Sequence, residues 1–221
     1  MTLARLSAER LAYGGATVFD GVSLVIRAGE RVVLVGPSGA GKTTLLMALH
    51  ARMVADGLRV ALAPQEAGLV PQLSVVKNTL MGRLDDHGAL HNLAALVHTP
   101  KPARAEILAL LAELGLSDQA QRAVEGLSGG QRQRVSLARA LYRGGQVFLG
   151  DEPVSAVDET QAEALLAVVA RHFETSVLSL HDLTLARSFA SRIIGVRKGA
   201  LVFDAPPAQV TPAQFEQLYA R

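Results

Sequence analysis

The segment Gly36-Pro37-Ser38-Gly39-Ala40-Gly41-Lys42-Thr43 constrains this chain more than any other. It fits the pattern G-x-x-x-x-G-K-[ST]. It stands between an apolar, β-branched run, Arg31-Val32-Val33-Leu34-Val35, and a helix expected over Thr43 to Met53. A strand, a glycine-rich turn and a helix in that order make an anion cradle. The glycines let successive backbone N–H groups curl around phosphate oxygens with no Cβ in the way. The helix N-terminus adds a favourable field for negative charge. In such a loop Pro37, Ser38, Gly39 and Ala40 form the turn and Lys42 reaches the β- and γ-phosphates. The Thr43 hydroxyl is a Mg²⁺ ligand, with Thr44 next to it in the first helical turn.

The rest of the chain supplies the sheet that such a turn needs. Leu24-Val25-Ile26 is a short apolar stretch, and strands are expected at Leu58–Leu62, Val147–Leu149 and Ser176–Leu180. Helices are expected over 74–84, 102–121, Ser128–Tyr142 and Gln161–His172. Alternating strands and helices argue for a parallel α/β sheet. The stretch 66–142 reads as mainly helical, a subdomain inserted between 1–65 and 143–221.

Composition narrows the classes. With 221 residues, 49% of them hydrophobic, the chain is far from a disordered polymer. The absence of Cys excludes a disulfide scaffold, thiol catalysis and thiolate metal sites. A net charge of +2 gives little support to nucleic-acid binding. Mean hydropathy is positive at +0.26, yet no apolar run approaches the roughly 20 residues of a spanning helix. Met1-Thr2-Leu3-Ala4-Arg5 leads into no apolar stretch of a signal peptide. An intracellular protein is expected, one that works at a membrane only through a partner.

Two further motifs bear on chemistry. Val147-Phe148-Leu149-Gly150-Asp151-Glu152 is an apolar strand ending in paired acids. The first acid can hold Mg²⁺ through water, and the second can orient an attacking water as a general base. Leu127-Ser128-Gly129-Gly130-Gln131 is a helix start with a Ser cap and two glycines, a second place for an anion.

With these motifs the chain resembles the ATP-binding cassette (ABC) ATPases over nearly its whole length. The resemblance implies an α/β fold: a P-loop NTPase, RecA-like core, a helical ABC subdomain and an antiparallel β region. Gly36 to Thr43 looks like the Walker A loop, and Leu127 to Gln131 matches the family signature. Asp151 looks like the Walker B aspartate, a metal ligand, and Glu152 like the catalytic base. Ser155-Ala156-Val157-Asp158 resembles the D-loop, His181 the switch histidine, and Gln65, after Ala63-Pro64, the Q-loop glutamine that meets Mg²⁺ and water. Tyr13 stands ahead of the loop where the family places an aromatic against adenine. The implied cofactors are ATP and Mg²⁺. The implied assembly is a head-to-tail pair of two copies, in which Ser128, Gly129, Gly130 and Gln131 of one copy cover the ATP of the other.

The resemblance also suggests what is powered. A cassette without a spanning segment implies integral membrane permease subunits, a peripheral place on the cytoplasmic side of the inner membrane, and indirect dependence on an extracytoplasmic substrate-binding protein. Glu66 to Leu84, with Leu69, Val70, Leu73, Val75 and Val76, could seat a permease helix or simply pack the subdomain. Asn78-Thr79-Leu80-Met81-Gly82-Arg83-Leu84, the tail Phe215-Glu216-Gln217-Leu218-Tyr219 and the stretch His181 to Asp204 resemble phosphonate-import ATPases. The alternatives are lipoprotein-release or cell-division ATPases and soluble ABC ATPases acting on nucleic acid. The interval from Gln65 to Ser128 is too short for the long coiled coil of DNA-repair members. Lys42 to Gln65 is itself short for the family, which implies a reduced antiparallel sheet. His87 and His91 have a metal-compatible spacing, but no carboxylate or thiolate completes a site and they read as solvated.

Overall fold

The computed structural model describes residues 1–220. The chain opens with two long strands, β1 (Thr2–Tyr13) and β2 (Ala16–Arg27), paired antiparallel across a Gly14-Gly15 turn. Then follow β3 (Arg31–Val35), α1 (Lys42–Ala55) and β4 (Val60–Ala63). A helical stretch comprises α2 (Val75–Leu80), α3 (Ala89–Val97), α4 (Lys101–Glu113) and α5 (Gly129–Arg143). The remaining elements are β5 (Val147–Asp151), α6 (Glu159–His172), β6 (Ser176–Ser179), α7 (Leu183–Phe189), β7 (Arg192–Arg197), β8 (Ala200–Ala205) and α8 (Pro212–Tyr219).

Two compact units divide these elements. The first comprises Met1–Leu62, Gly145–Pro153 and the chain from Phe173 onward; the second comprises Ala63–Gly144 and Val154–His172. The segment 154–172 therefore groups with the helical unit, although the sequence suggests it belongs with the sheet.

The first unit is built on a six-stranded sheet of order β4-β5-β6-β3-β7-β8. The β5–β6, β6–β3 and β3–β7 pairs are parallel, and β8 runs antiparallel at the edge. Val32 to Val35 and all of β5 and β6 are buried. A strand covered on both faces needs apolar residues without alternation, which is why these segments read as strands from sequence. The long hairpin is harder to read, since only Leu24–Ile26 stands out in its sequence. Its register shifts between Leu6 and Glu9, around Ala8, whose φ is +53°. That bulge breaks the period-two pattern by which a half-buried strand is recognised. The inner residues of the hairpin, among them Leu6, Phe19, Leu24 and Ile26, join Leu45, Leu49 and Leu34 in one core cluster. These two strands form the whole antiparallel sheet, and the short Lys42–Gln65 interval contributes only α1 and β4.

In the second unit Ser74 caps α2, which accepts burial of Val75, Val76, Asn78, Thr79 and Leu80. Val75 and Val76 thus pack the helical unit, and Leu69, Val70 and Leu73 are half-buried. The apolar residues left outside are instead Leu90, Leu93 and Val97 of α3, a helix the sequence pattern does not announce. The 102–121 helix ends at Glu113: Gly115 takes φ +64° and a 3-10 turn follows at Ser117–Gln119. No helix among the described residues is long and apolar enough to cross a membrane.

Candidate active site

The phosphate loop runs from the C-terminal end of β3 to α1, as its sequence context requires. Gly41 is the N-cap of α1, with φ +109°, and no side chain caps this helix. A Cβ at Gly41 would fall 2.7 Å from the Phe19 ring and 2.8 Å from Val18 Cγ1, so only glycine fits there. The first-turn amides of a 14-residue helix are left facing the loop, with no acidic residue in that turn. Lys42 is 5% exposed and donates from Nζ to the carbonyls of Gly36 (2.8 Å) and Pro37 (3.0 Å). Burial pushes its ammonium below the usual lysine range, against the opposing pull of Glu152 and Asp151.

The acids of β5 lie beside this loop in the same unit. Thr43 Oγ1 donates to Asp151 Oδ2 at 2.6 Å, and Ser179 Oγ donates to Asp151 Oδ1 at 2.5 Å. Asp151 is 2% exposed, so its charge is held by hydroxyls and a neighbouring ammonium rather than by water. A hydroxyl and a carboxylate side by side are hard oxygen donors of the type Mg²⁺ takes. The residues present therefore fit that ion. Glu152 follows with φ +52°, a strained backbone for a non-glycine residue. Its amide is fixed by donation to Ser179 Oγ at 2.9 Å. The turn aims the Glu152 carboxylate at His181, whose Nε2 is in hydrogen-bond contact with Oε1. His181 itself follows β6, whose next residue, Leu180, donates its amide to the Leu34 carbonyl at 3.1 Å.

The helical unit carries the remaining motif residues except Tyr13. Ser128 is the N-cap of α5 in a full capping box: its Oγ accepts from the Gln131 amide, and its own amide donates to Gln131 Oε1. Gly129 has open space around its Cα. Gly130 lies so close to the Ala156 carbonyl that a Cβ would be 2.7 Å from it. Gln133 donates to Ser155 Oγ and accepts from the Ala156 amide, so the start of α5 and the 155–158 loop are joined. Asp158 caps α6, with Oδ1 accepting from the Gln161 amide at 2.9 Å. Gln65 is exposed just beyond β4, and Tyr13 is 70% exposed at the end of β1. The His87 and His91 rings pack at a tilt with centroids 4.1 Å apart, and no metal-binding cluster of His, Cys, Asp or Glu occurs among the described residues.

The ABC transporter family profile matches residues 19–155, from the second strand of the hairpin through the acids of β5 to Ser155. This chain belongs to the ABC transporter family. It is 41% identical to the phosphonates import ATP-binding protein PhnC of Pseudomonas entomophila, over 98% of this chain and 91% of that one. It is 36% identical to the phosphite import ATP-binding protein PxtA of Stutzerimonas stutzeri, over 94% of this chain and 83% of that one. Among solved structures, a dimeric ATP-binding cassette bound to ADP and Pi has the same fold. It has a TM-score of 0.78 and 24% identity, and it covers 94% of this chain and 99% of that one.

Within this ABC ATPase, four residues near the motif side chains escape sequence motifs. Ser179 bridges Asp151 and the Glu152 amide, yet it looks like one more buried strand residue. Tyr219 of α8 has its phenol at the Gly36 backbone. Burial pushes that phenol up, a hydrogen bond from Gly36 acts the other way, and the charge of Glu152 adds to the rise. Arg197 of β7 clips the end of α8 by donating to the carbonyls of Gln217 (2.8 Å) and Ala220 (2.5 Å). Arg139 lies on α5 well beyond the signature and holds the loop after Gln65. The only sequence signal for the second was the tail itself, which resembles phosphonate-import proteins.

Proposed function

We propose that this chain is the ATP-hydrolysing subunit of an importer for phosphonate or a related phosphorus oxyanion. It works as a head-to-tail pair on the cytoplasmic face of a membrane permease fed by an extracytoplasmic binding protein. The observation that carries the hydrolytic reading is the contact of Glu152 with His181, one residue from an Asp151 already hydrogen-bonded to Thr43 of the phosphate loop. Relatives named for phosphonate and phosphite import support import over lipoprotein release, cell division or nucleic-acid work.

In this reading the amides of Gly36 to Thr44 and the Lys42 ammonium bind the phosphates of ATP. Thr43, Asp151 and Gln65 would hold Mg²⁺, which supplies positive charge at the β- and γ-phosphate oxygens. Glu152 takes the proton of the attacking water, and His181 holds the γ-phosphate and orients Glu152. Tyr13 stacks on adenine. Ser128, Gly129, Gly130 and Gln131 of one copy cover the γ-phosphate of the other, with Asp158 at the junction. There is little covalent chemistry for the protein to do, so the rate comes from positioning and electrostatics. Because ATP binds the closed pair better than the open one, hydrolysis resets a two-state machine.

The test is transport. The chain is co-produced with its native permease and binding protein, reconstituted in vesicles, and assayed for ATP-dependent uptake of a phosphonate, phosphite, phosphate and sulfate. Uptake of phosphonate or phosphite in preference to sulfate is expected. Stable association with no membrane protein, or uptake confined to sulfate, overturns the proposal.

A further inference from the structure

Arg139 carries a charge that packing alone does not call for. Its guanidinium donates to the Gly68 carbonyl at 3.0 Å and to the Ala67 carbonyl. No carboxylate pairs with it among the described residues, and burial pulls its guanidinium below the ordinary arginine range. An arginine held by two backbone carbonyls is desolvated without a counter-ion, and an apolar side chain of similar length would pack there at less cost. What the fork geometry does supply is a fixed spacing of two donors to two successive carbonyls.

The rest of the same segment is tied in the same direction. Asn78 of α2 is fully buried, and all its polar atoms are spent on residues 70–74. Its Oδ1 accepts from the Val70 amide (2.8 Å), and Nδ2 donates to the carbonyls of Val70 (3.0 Å), Leu73 (3.1 Å) and Ser74 (3.2 Å). From the other side the Val124 amide donates to the Leu73 carbonyl at 3.1 Å, and the Glu125 amide to the Pro71 carbonyl at 3.0 Å. Residues 124–126 lead directly into Leu127 and the Ser128 cap. The bonds from Arg139, Val124 and Glu125 join the segment after Gln65 to elements that flank Ser128, those of Asn78 brace the same segment on α2, and all lie within one compact unit.

We infer that Arg139 is a positioning residue that makes the loop following Gln65 move as one piece with the helix beginning at Ser128. The inference rests on the roles proposed above for Gln65 and Ser128. Gln65 serves the ATP of its own copy, and Ser128 serves that of the partner. A rigid tie between them means that docking of the signature on one nucleotide sets the position of Gln65 at the other. Arg139 lies outside the nucleotide-binding motifs and acts through the loop whose carbonyls it holds.

A double-mutant cycle tests this in the purified full chain. Arg139→Met is expected to lower kcat about five- to tenfold and to leave the KM for ATP within about twofold, because Lys42 and its loop belong to the other unit. The double variant Gln65→Ala/Arg139→Met should be no slower than Gln65→Ala alone, and backbone amides of 66–70 should exchange hydrogen faster in Arg139→Met while those of α5 do not. Losses that multiply in the double variant, an unchanged kcat in Arg139→Met, or unchanged exchange at 66–70 overturn the inference. If Arg139→Met does not fold, Arg139→Lys is read in the same way, since one ammonium reaches one carbonyl fewer. If Gln65→Ala hydrolyses ATP at the unaltered rate, the proposed role of Gln65 fails by itself, and the exchange measurement alone decides the tie.

Discussion

Ser179→Ala removes one oxygen atom and is expected to cost both stability and turnover. The Ser179 hydroxyl, on a fully buried residue, does two things at once. It donates to Asp151 Oδ1 at 2.5 Å and accepts from the Glu152 amide at 2.9 Å. A hydrogen bond to a charged group contributes about 1.5–3 kcal/mol, and an orphaned buried amide costs about 1–3 kcal/mol. The two terms overlap, because the amide and the carboxylate share the space the oxygen vacates, so a combined loss of about 3 kcal/mol is expected. The second effect is on geometry. Glu152 keeps its φ of +52° only while the surroundings over-determine it, and the Ser179 contact is one of those restraints. A carboxylate released from that turn no longer faces His181, and kcat should fall at least about tenfold, the equivalent of about 1.4 kcal/mol of barrier. Urea unfolding gives the first number and steady-state phosphate release the second. Ser179→Thr retains the hydroxyl and should recover most of the turnover despite an added methyl in a packed strand. A Ser179→Ala protein that loses less than about 0.5 kcal/mol and turns over within about twofold of the original would refute the reasoning.

Three other outcomes follow from the same geometry. Glu152→Gln should retain ATP binding, lose about 10²–10⁴ in turnover as expected for removal of a general base, and accumulate a closed pair visible by size-exclusion chromatography in ATP. Burial holds the Lys42 ammonium below its ordinary value of 10.5 in the folded chain. Phosphate charge restores its proton, so the ATP complex binds more protons than the free chain. Affinity for ATP should therefore weaken as pH rises through the depressed value, while stability of the free chain rises over the window up to 10.5; calorimetric titration at several alkaline pH values that shows no weakening counts against it. Tyr219→Phe retains the ring against Phe215 but removes the phenol that lies at the Gly36 backbone, so KM for ATP should rise about two- to fivefold, with kcat little changed.

Legibility from sequence tracked the physical cause of each element. Buried parallel strands have continuous apolar runs because both faces are covered, so β3, β5 and β6 were readable. The helix over Ser128–Tyr142 is readable from its Ser128 cap and glycine pair, to which the structure adds Gln131 as the reciprocal cap. The hairpin was not, because its bulge at Ala8 interrupts the alternation. Helix α3 was not, because a short uncharged segment with Leu90, Leu93 and Val97 turned outward lacks the polar face that marks a surface helix.

The motif residues follow the same logic with one difference. In the proposed reading Gly41, Lys42, Thr43, Asp151 and Glu152 serve phosphate and metal directly, so their spacing within a strand–turn–helix is fixed locally and can be read from the chain. Ser179, Tyr219 and Arg139 are prescribed by contact with those residues or their loops across long sequence separations, and nothing near them in the chain announces the partner. Groups that touch the substrate have a local signature; groups that hold them in place have only a three-dimensional one. The Glu152 turn illustrates why the second kind matters as much as the first. A strained φ of +52° next to a buried carboxylate persists only if Ser179, 27 residues further along the chain and unmarked by any motif, supplies the hydrogen bond that holds it.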